Sequence, residues 1–133
     1  MARAYTVATA GLALKVSNKW LDNTLSHYQV QGVSQARQGV ARRLSIESLT
    51  ILSLAVSLIA DLQLPLANAL DTATKLIQSS GTITLPAGLR LQIDLERVRS
   101  ALFLRLEHAV EVAPLPRRGR PPQLPKNTTG RLE

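Results

Sequence analysis

Two short helices joined by a tight turn are the strongest constraint that this sequence places on its fold. The stretch Thr6–Leu25, TVATAGLALKVSNKWLDNTL, contains two capping residues, Thr6 and Ser17, and each precedes apolar side chains at helical spacing. Only residues 14–16 remain for the turn between the helices. This spacing predicts a helix-turn-helix, whose second helix can lie in the DNA major groove. A plain pair of small helices in an all-α core is the alternative.

The second predicted helix has an apolar face and a polar face. Trp20, Leu21, Thr24 and Leu25 recur at helical spacing, so we expect them to face inward. Asp22 belongs to the opposite, outer face, where a carboxylate repels phosphate. The residues that we expect to meet base edges or phosphates are Ser17, Asn18, Lys19 and Asn23.

A polar connection over residues 26–44 follows this helix. Two β-favouring patches, residues 28–30 and 40–44, flank a segment rich in Gly, Ser and Gln. We predict a small basic hairpin, a wing, that lies along the phosphate backbone; a flexible loop is the alternative. The cations assigned to it are Arg37, Arg42 and Arg43.

The remaining pattern predicts three further helices and a second hairpin. Helix three follows Ser45, runs to about Leu62 and is too short in its apolar part to span a bilayer. Helix four has Pro65 in its first turn, and a hairpin over residues 82–93 turns at residues 86–88. Asp94 caps the last helix, residues 95–112. Phe103 and Leu104 widen the apolar stripe of this helix. That width favours dimerisation, with packing inside one monomer as the alternative.

Charge separates the ends of the chain from its middle. Residues 1–44 carry a net charge of +5, residues 45–112 of −2 and residues 113–133 of +4. This pattern suits a protein that binds one polyanion through both of its ends. The sequence contains no cysteine, its two histidines have no metal-ligand spacing, and no nucleophile–base pair or phosphate loop is evident. We therefore expect no enzyme activity, no cofactor and no metal. No signal peptide or membrane span is evident, so we expect a cytoplasmic, nucleoid-associated protein.

The last twenty residues contain five prolines and no helical period, so we expect an extended tail. Within it, Arg118-Gly119-Arg120-Pro121 resembles an AT-hook. Glycine allows close approach to the floor of a narrow minor groove, and the flanking arginines follow its negative potential. A non-specific basic tail and a protein-binding segment are the alternatives. The residues assigned to this contact are Arg117, Arg118, Gly119 and Arg120.

Four short motifs appear in a fixed order between Tyr5 and Leu76. They are Tyr5-Thr6-Val7, Val16-Ser17, Arg43-Leu44-Ser45-Ile46-Glu47-Ser48-Leu49 and Leu62-Gln63-Leu64-Pro65-Leu66. In order and spacing they resemble the MerR-type winged helix-turn-helix family. The resemblance implies double-stranded DNA binding as a homodimer, with the second helix in the major groove and the wing on the backbone. Asp22 stands where the family has a basic residue, and the family's long coiled coil and effector domain are absent, so no effector site is carried over.

These features together predict a mainly α (α+β) chain. We expect a winged helix-turn-helix over residues 1–80, a hairpin and helix for packing or dimerisation over 81–113, and an extended basic tail over 114–133. The expected function is a small non-enzymatic DNA-binding protein, a transcriptional regulator. A protein-interaction subunit, or an architectural or excisionase-like DNA-bending protein, is the alternative.

Overall fold

The computed structural model describes residues 4–35 and 41–112, and this part of the chain is mainly helical with small antiparallel sheets. That much of the predicted fold class is confirmed. In chain order the elements are β1 Ala4–Tyr5, α1 Val7–Leu14, α2 Asn18–His27, β2 Val33–Ser34, β3 Arg43–Ser45, α3 Ile46–Leu62, α4 Leu66–Gln78, β4 Thr82–Thr84, β5 Arg90–Gln92 and α5 Leu95–Val112.

Hydroxyl caps fix the starts of the first three helices, as predicted. Thr6 accepts the backbone N–H of Thr9, and Ser17 accepts that of Trp20 at 3.0 Å. Ser45 does the same for α3. Each hydroxyl satisfies a backbone donor that has no partner within its helix, so the sequence sets these boundaries locally.

The turn between α1 and α2 has a left-handed residue at its first position. Lys15 has φ 61° and its N–H bonds back to the end of α1, while the Val16 N–H donates to Gly11 O at 3.0 Å. The carbonyls at the end of α1 are thereby satisfied within three residues of the start of α2. The result is a short, hydrogen-bonded connection between the two helices.

The strands near α2 differ from the prediction. Residues 28–30 form no strand, because α2 extends to His27 and the Tyr28 N–H still bonds to Thr24 O at 2.9 Å. The strand is instead β2, which follows the turn at Gly32, and it pairs with β3 so that Val33 faces Leu44. A third strand, β1, was not predicted; it pairs with the other edge of β3.

Helix α4 also begins one residue later than predicted. Pro65 is its N-cap, with extended backbone geometry and no side-chain cap hydrogen bond, and the helix starts at Leu66. Proline has no N–H to satisfy and its fixed φ suits either position, so the sequence alone does not separate them.

One aliphatic core joins all five described helices. Helix α3 lies at its centre, with Leu49, Leu52 and Ala55 fully buried, and α4, α1 and α5 pack around it. Helix α5 contributes Leu102 and Leu106 to this core. Residues 95–112 therefore pack within the monomer along one face. A second apolar part of α5, formed by Phe103, Leu104 and Val110, remains exposed.

The second hairpin covers one side of this core. Strands β4 and β5 pair so that Ile83 faces Leu91, and both side chains pack partly buried against the core together with Ile93. Leu85 and Leu89, nearer the tip, are exposed. The predicted apolar face is thus covered only in its half next to the helices. Within residues 4–35 and 41–112, none of the helices has both the length and the hydropathy to cross a bilayer.

Candidate nucleic-acid interface

Helix α2 exposes its polar side to solvent and buries the opposite side of the helix. Leu21 and Thr24 are 0% and 3% exposed, which fixes the inward side. Asn18, Lys19 and Asn23 are all exposed, as the helical spacing predicts. The side chains of Lys19 and Asn23 have no hydrogen-bond or ion-pair partner among the described residues. An ammonium and an amide are therefore available on the same helix for contacts with another molecule.

The start of α2 is held tightly against α1. A Cβ at Gly11 would lie 2.7 Å from Asn18 Oδ1 and 3.0 Å from the Val16 carbonyl oxygen. The Asn18 side chain therefore lies across the glycine of α1, with part of its surface still open to solvent. The Ser17 hydroxyl oxygen accepts the Trp20 N–H as the helix cap. Its proton can still donate to another acceptor. These two predicted site residues thus position the helix as well as face solvent.

Arg42 connects the segment before β3 to the exposed face of α2. Its guanidinium donates to Asp22 Oδ1 at 3.3 Å and to Ser26 Oγ at 3.1 Å. The Arg42 side chain is 21% exposed and the Asp22 side chain 53%. Arg42 therefore lies against α2 and is already engaged with protein groups. Its charge also balances Asp22, so the carboxylate that the sequence placed beside the predicted contact residues has a partner.

Arg43 differs from its neighbour in being free. It is the first residue of β3, is exposed, and pairs through its backbone with Ser34. Its guanidinium has no partner within the described part of the chain. Arg43 on β3 and Lys19 on α2 are thus two cations without a partner among the described residues. Arg42 links the two elements that carry them.

Lys15 is a further exposed cation that was not among the predicted site residues. It lies in the turn immediately before α2, and its side chain has no described partner. Within residues 4–35 and 41–45, Asp22 is the one carboxylate against Lys15, Lys19, Arg42 and Arg43. The position of Lys15 in the predicted turn could have indicated it, because side chains in this turn lie close to the start of α2.

The other predicted contacts fall on residues that the structure does not describe. Arg37 belongs to residues 36–40, and the four tail residues, Arg117, Arg118, Gly119 and Arg120, belong to residues 113–133. They remain predictions from the sequence. Comparison with known protein families, with curated proteins and with solved structures found no match to this chain.

Proposed function

We propose that this chain is a non-enzymatic regulator that binds double-stranded DNA as a winged helix-turn-helix protein of the MerR type. The observation that carries the proposal is the arrangement of α2 and β3. Arg42 links the two elements through Asp22 and Ser26, and the side chains of Lys19, Asn23 and Arg43 have no partner among the described residues. A polar helix flank next to a basic strand is what a major-groove reader needs.

Each residue has a distinct part in this proposal. Asn23 can make a bidentate contact to adenine, whereas Lys19 can bind a guanine edge or a phosphate. Ser17 and Asn18, at the start of α2, fix the helix and contact the backbone. Arg43, together with Arg37 in the wing, binds phosphates. The tail residues 117–120 enter a neighbouring minor groove as an AT-hook, which would place the protein on the nucleoid.

The exposed face of α5 supports a homodimer. Phe103 and Val110 are 49% and 42% exposed and lie two helical turns apart. Arg99 and Glu107 flank Phe103 at four residues on either side. A two-fold axis at Phe103 would therefore place Arg99 opposite the Glu107 of an antiparallel copy, twice over. Two copies of α2 would then be available for two half-sites.

A direct binding titration tests the proposal. Fluorescence anisotropy of labelled A·T-rich and mixed duplexes should show saturable binding of the full chain at about 50 mM salt, where phosphate contacts are strong. Binding to both duplexes with preference for the A·T-rich one would support the tail contact as well. No binding to either duplex at this salt would end the proposal.

A protein-interaction subunit is the second candidate, and the exposed apolar side chains favour it. Phe103 and Leu104, at 49% and 68% exposed, and Leu89, at 64%, are suited to a hetero-oligomeric interface. Charge reversal separates the candidates: the double substitution Lys19→Glu, Arg43→Glu should strongly weaken DNA binding by removing the contacts of α2 and β3, whereas Arg90→Glu should leave the affinity unchanged. Unchanged DNA affinity in the first variant would favour the interaction subunit.

An architectural role is separated from regulation by DNA bending. An architectural protein deforms long DNA without one preferred site, whereas a regulator selects one sequence. Circular-permutation gel shifts on long fragments would distinguish the two. Bending without one preferred site would indicate an architectural protein, and bending or binding at one site would indicate a regulator.

A further inference from the structure

A groove between α3 and α5 contains cations and hydroxyls that the proposed DNA contact does not use. Ser53 and Ser57 lie on one face of α3, four residues apart, and Arg97, Ala101 and Arg105 lie on one face of α5. The groove has two adjoining lobes of about 370 and 240 Å³ that share Ser53, Ser57 and Arg105. Lys15 lines the smaller lobe.

Arg105 is fixed in place by two protein groups. Its Nε donates to the Ala13 carbonyl oxygen at 2.7 Å and its Nη2 donates to Ser53 Oγ at 3.0 Å. A guanidinium has five N–H groups, so three remain for another acceptor. These two bonds hold the planar fork in one orientation at the floor of the groove, which favours a two-oxygen partner.

Ser53 carries a hydroxyl donor that residues 4–35 and 41–112 leave unused. The residue is 6% exposed, and its hydroxyl oxygen accepts the bond from Arg105. Its own hydroxyl proton forms no hydrogen bond with the described residues. By contrast, the buried hydroxyls of Ser48 and Thr50, on the same helix, each donate to a backbone carbonyl. Because an unpaired buried donor is costly, the Ser53 hydroxyl indicates an acceptor supplied from the groove.

The charge of the lining is predominantly positive. Arg97 and Lys15 have no described partner, and Arg105 adds a third cation. Asp94 is the one carboxylate among the described lining residues, and its Oδ1 already caps α5 at the Arg97 N–H. Apolar side chains, Val56, Val98 and Ile93, form the remaining walls.

From these contacts we propose that the groove binds a small organic oxyanion, a carboxylate or phosphate on a short apolar body. The oxyanion accepts from Arg105, from the Ser53 hydroxyl and from Arg97. The apolar body packs on Val56 and Val98. Because Ala13, whose carbonyl oxygen accepts from Arg105, lies in the last turn of α1, the ligand would lie next to the turn that leads into α2.

Amide chemical shifts of the full chain, titrated with sodium hexanoate, test this site without DNA. We expect saturable shifts at Ser53, Ser57 and Arg97 with hexanoate up to about 20 mM, since one charge pair plus a small apolar contact gives millimolar affinity. Hexanol, which has the same apolar body and no charge, should leave these amides unshifted. Inorganic phosphate, which has no apolar body, should bind more weakly.

A pair of arginine variants on α5 completes the test. Arg97→Gln should weaken hexanoate binding about fivefold, as expected for loss of one exposed charge contact, and Arg99→Gln should not. Both residues are exposed, but only Arg97 lines the groove. Absence of saturable shifts, equal shifts with hexanol, equal binding of inorganic phosphate, or equal weakening by both variants would overturn the proposal.

Discussion

At the scale of single residues, Gly32 determines how the chain enters the strand pair beside α2. Its φ is +92°, its carbonyl oxygen accepts the Ser45 N–H at 3.0 Å, and a Cβ would meet Ser45 Oγ and the Ser48 backbone N. Ser45 Oγ is the cap of α3, so an added methyl group would disturb the cap as well as the backbone. One glycine thus couples the turn before β2 to the start of α3.

The Gly32→Ala substitution should therefore lower the free energy of unfolding by about 2–4 kcal/mol, combining the left-handed backbone with the clash at the cap. Gly88→Ala is the matched control, because Gly88 has nearly the same φ, +94°, with nothing near its Cβ position. It should cost only about 1 kcal/mol. Urea denaturation of both variants gives the comparison, and equal losses would contradict the contact assigned to Gly32.

The ion pair between Arg42 and Asp22 should contribute little to stability, because Asp22 is half exposed and solvent screens the charges. A double-mutant cycle with Arg42→Met and Asp22→Ala should give a coupling energy of about 0.5–1 kcal/mol. Thermal unfolding of the four proteins measures it. A coupling of zero would contradict a stabilising contact between these two side chains.

At the scale of elements, local signals predicted the helices well and the short strands poorly. The starts of α1, α2 and α3 follow from hydroxyl caps and the start of α5 follows from the Asp94 carboxylate. Caps and apolar spacing are local signals, which lie in the helix or directly before it. Strand β1 has two residues, and its existence depends on pairing with β3, about forty residues later in the chain. No local pattern encodes such a partner. The predicted strand at residues 28–30 failed because α2 and its last hydrogen bond extend to Tyr28.

Helix α5 gives a prediction about self-association. Phe103→Ser should convert a dimer to a monomer, because Phe103 would lie on the two-fold axis. Leu104→Ser should not, since Leu104 is exposed on another side of the helix. Light scattering coupled to size-exclusion chromatography reports the mass. A wild-type monomer, or loss of the dimer in both variants, would exclude this interface.

The charges beside Phe103 provide an independent check on the same interface. Arg99→Glu alone should weaken the dimer by like-charge contact with Glu107 of the partner copy. The double substitution Arg99→Glu, Glu107→Arg should restore it, because the exchanged pair is again opposite in sign. Sedimentation equilibrium of the three proteins gives the dissociation constants. Failure of the double variant to recover would show that these residues do not face each other.

At the scale of the whole molecule, the sequence predicted which residues of α2 are exposed and missed how they are held. Helical periodicity alone places Asn18, Lys19 and Asn23 on the outside. The link from Arg42 to Asp22 joins residues twenty positions apart and appears only in the folded chain. The groove is further removed from sequence patterns, because its lining comes from the α1–α2 turn, α3 and α5. Its residues have no common motif.

The salt dependence of DNA binding shows whether α2 and β3 form the DNA-binding surface. We predict that Lys19→Ala and Arg43→Ala each make the slope of log K against log salt shallower by about 1, the value for one lost phosphate contact. Arg90→Ala, which removes an exposed cation on β5, should keep the wild-type slope. If all three variants had the wild-type slope, α2 and β3 would not be the DNA-binding surface.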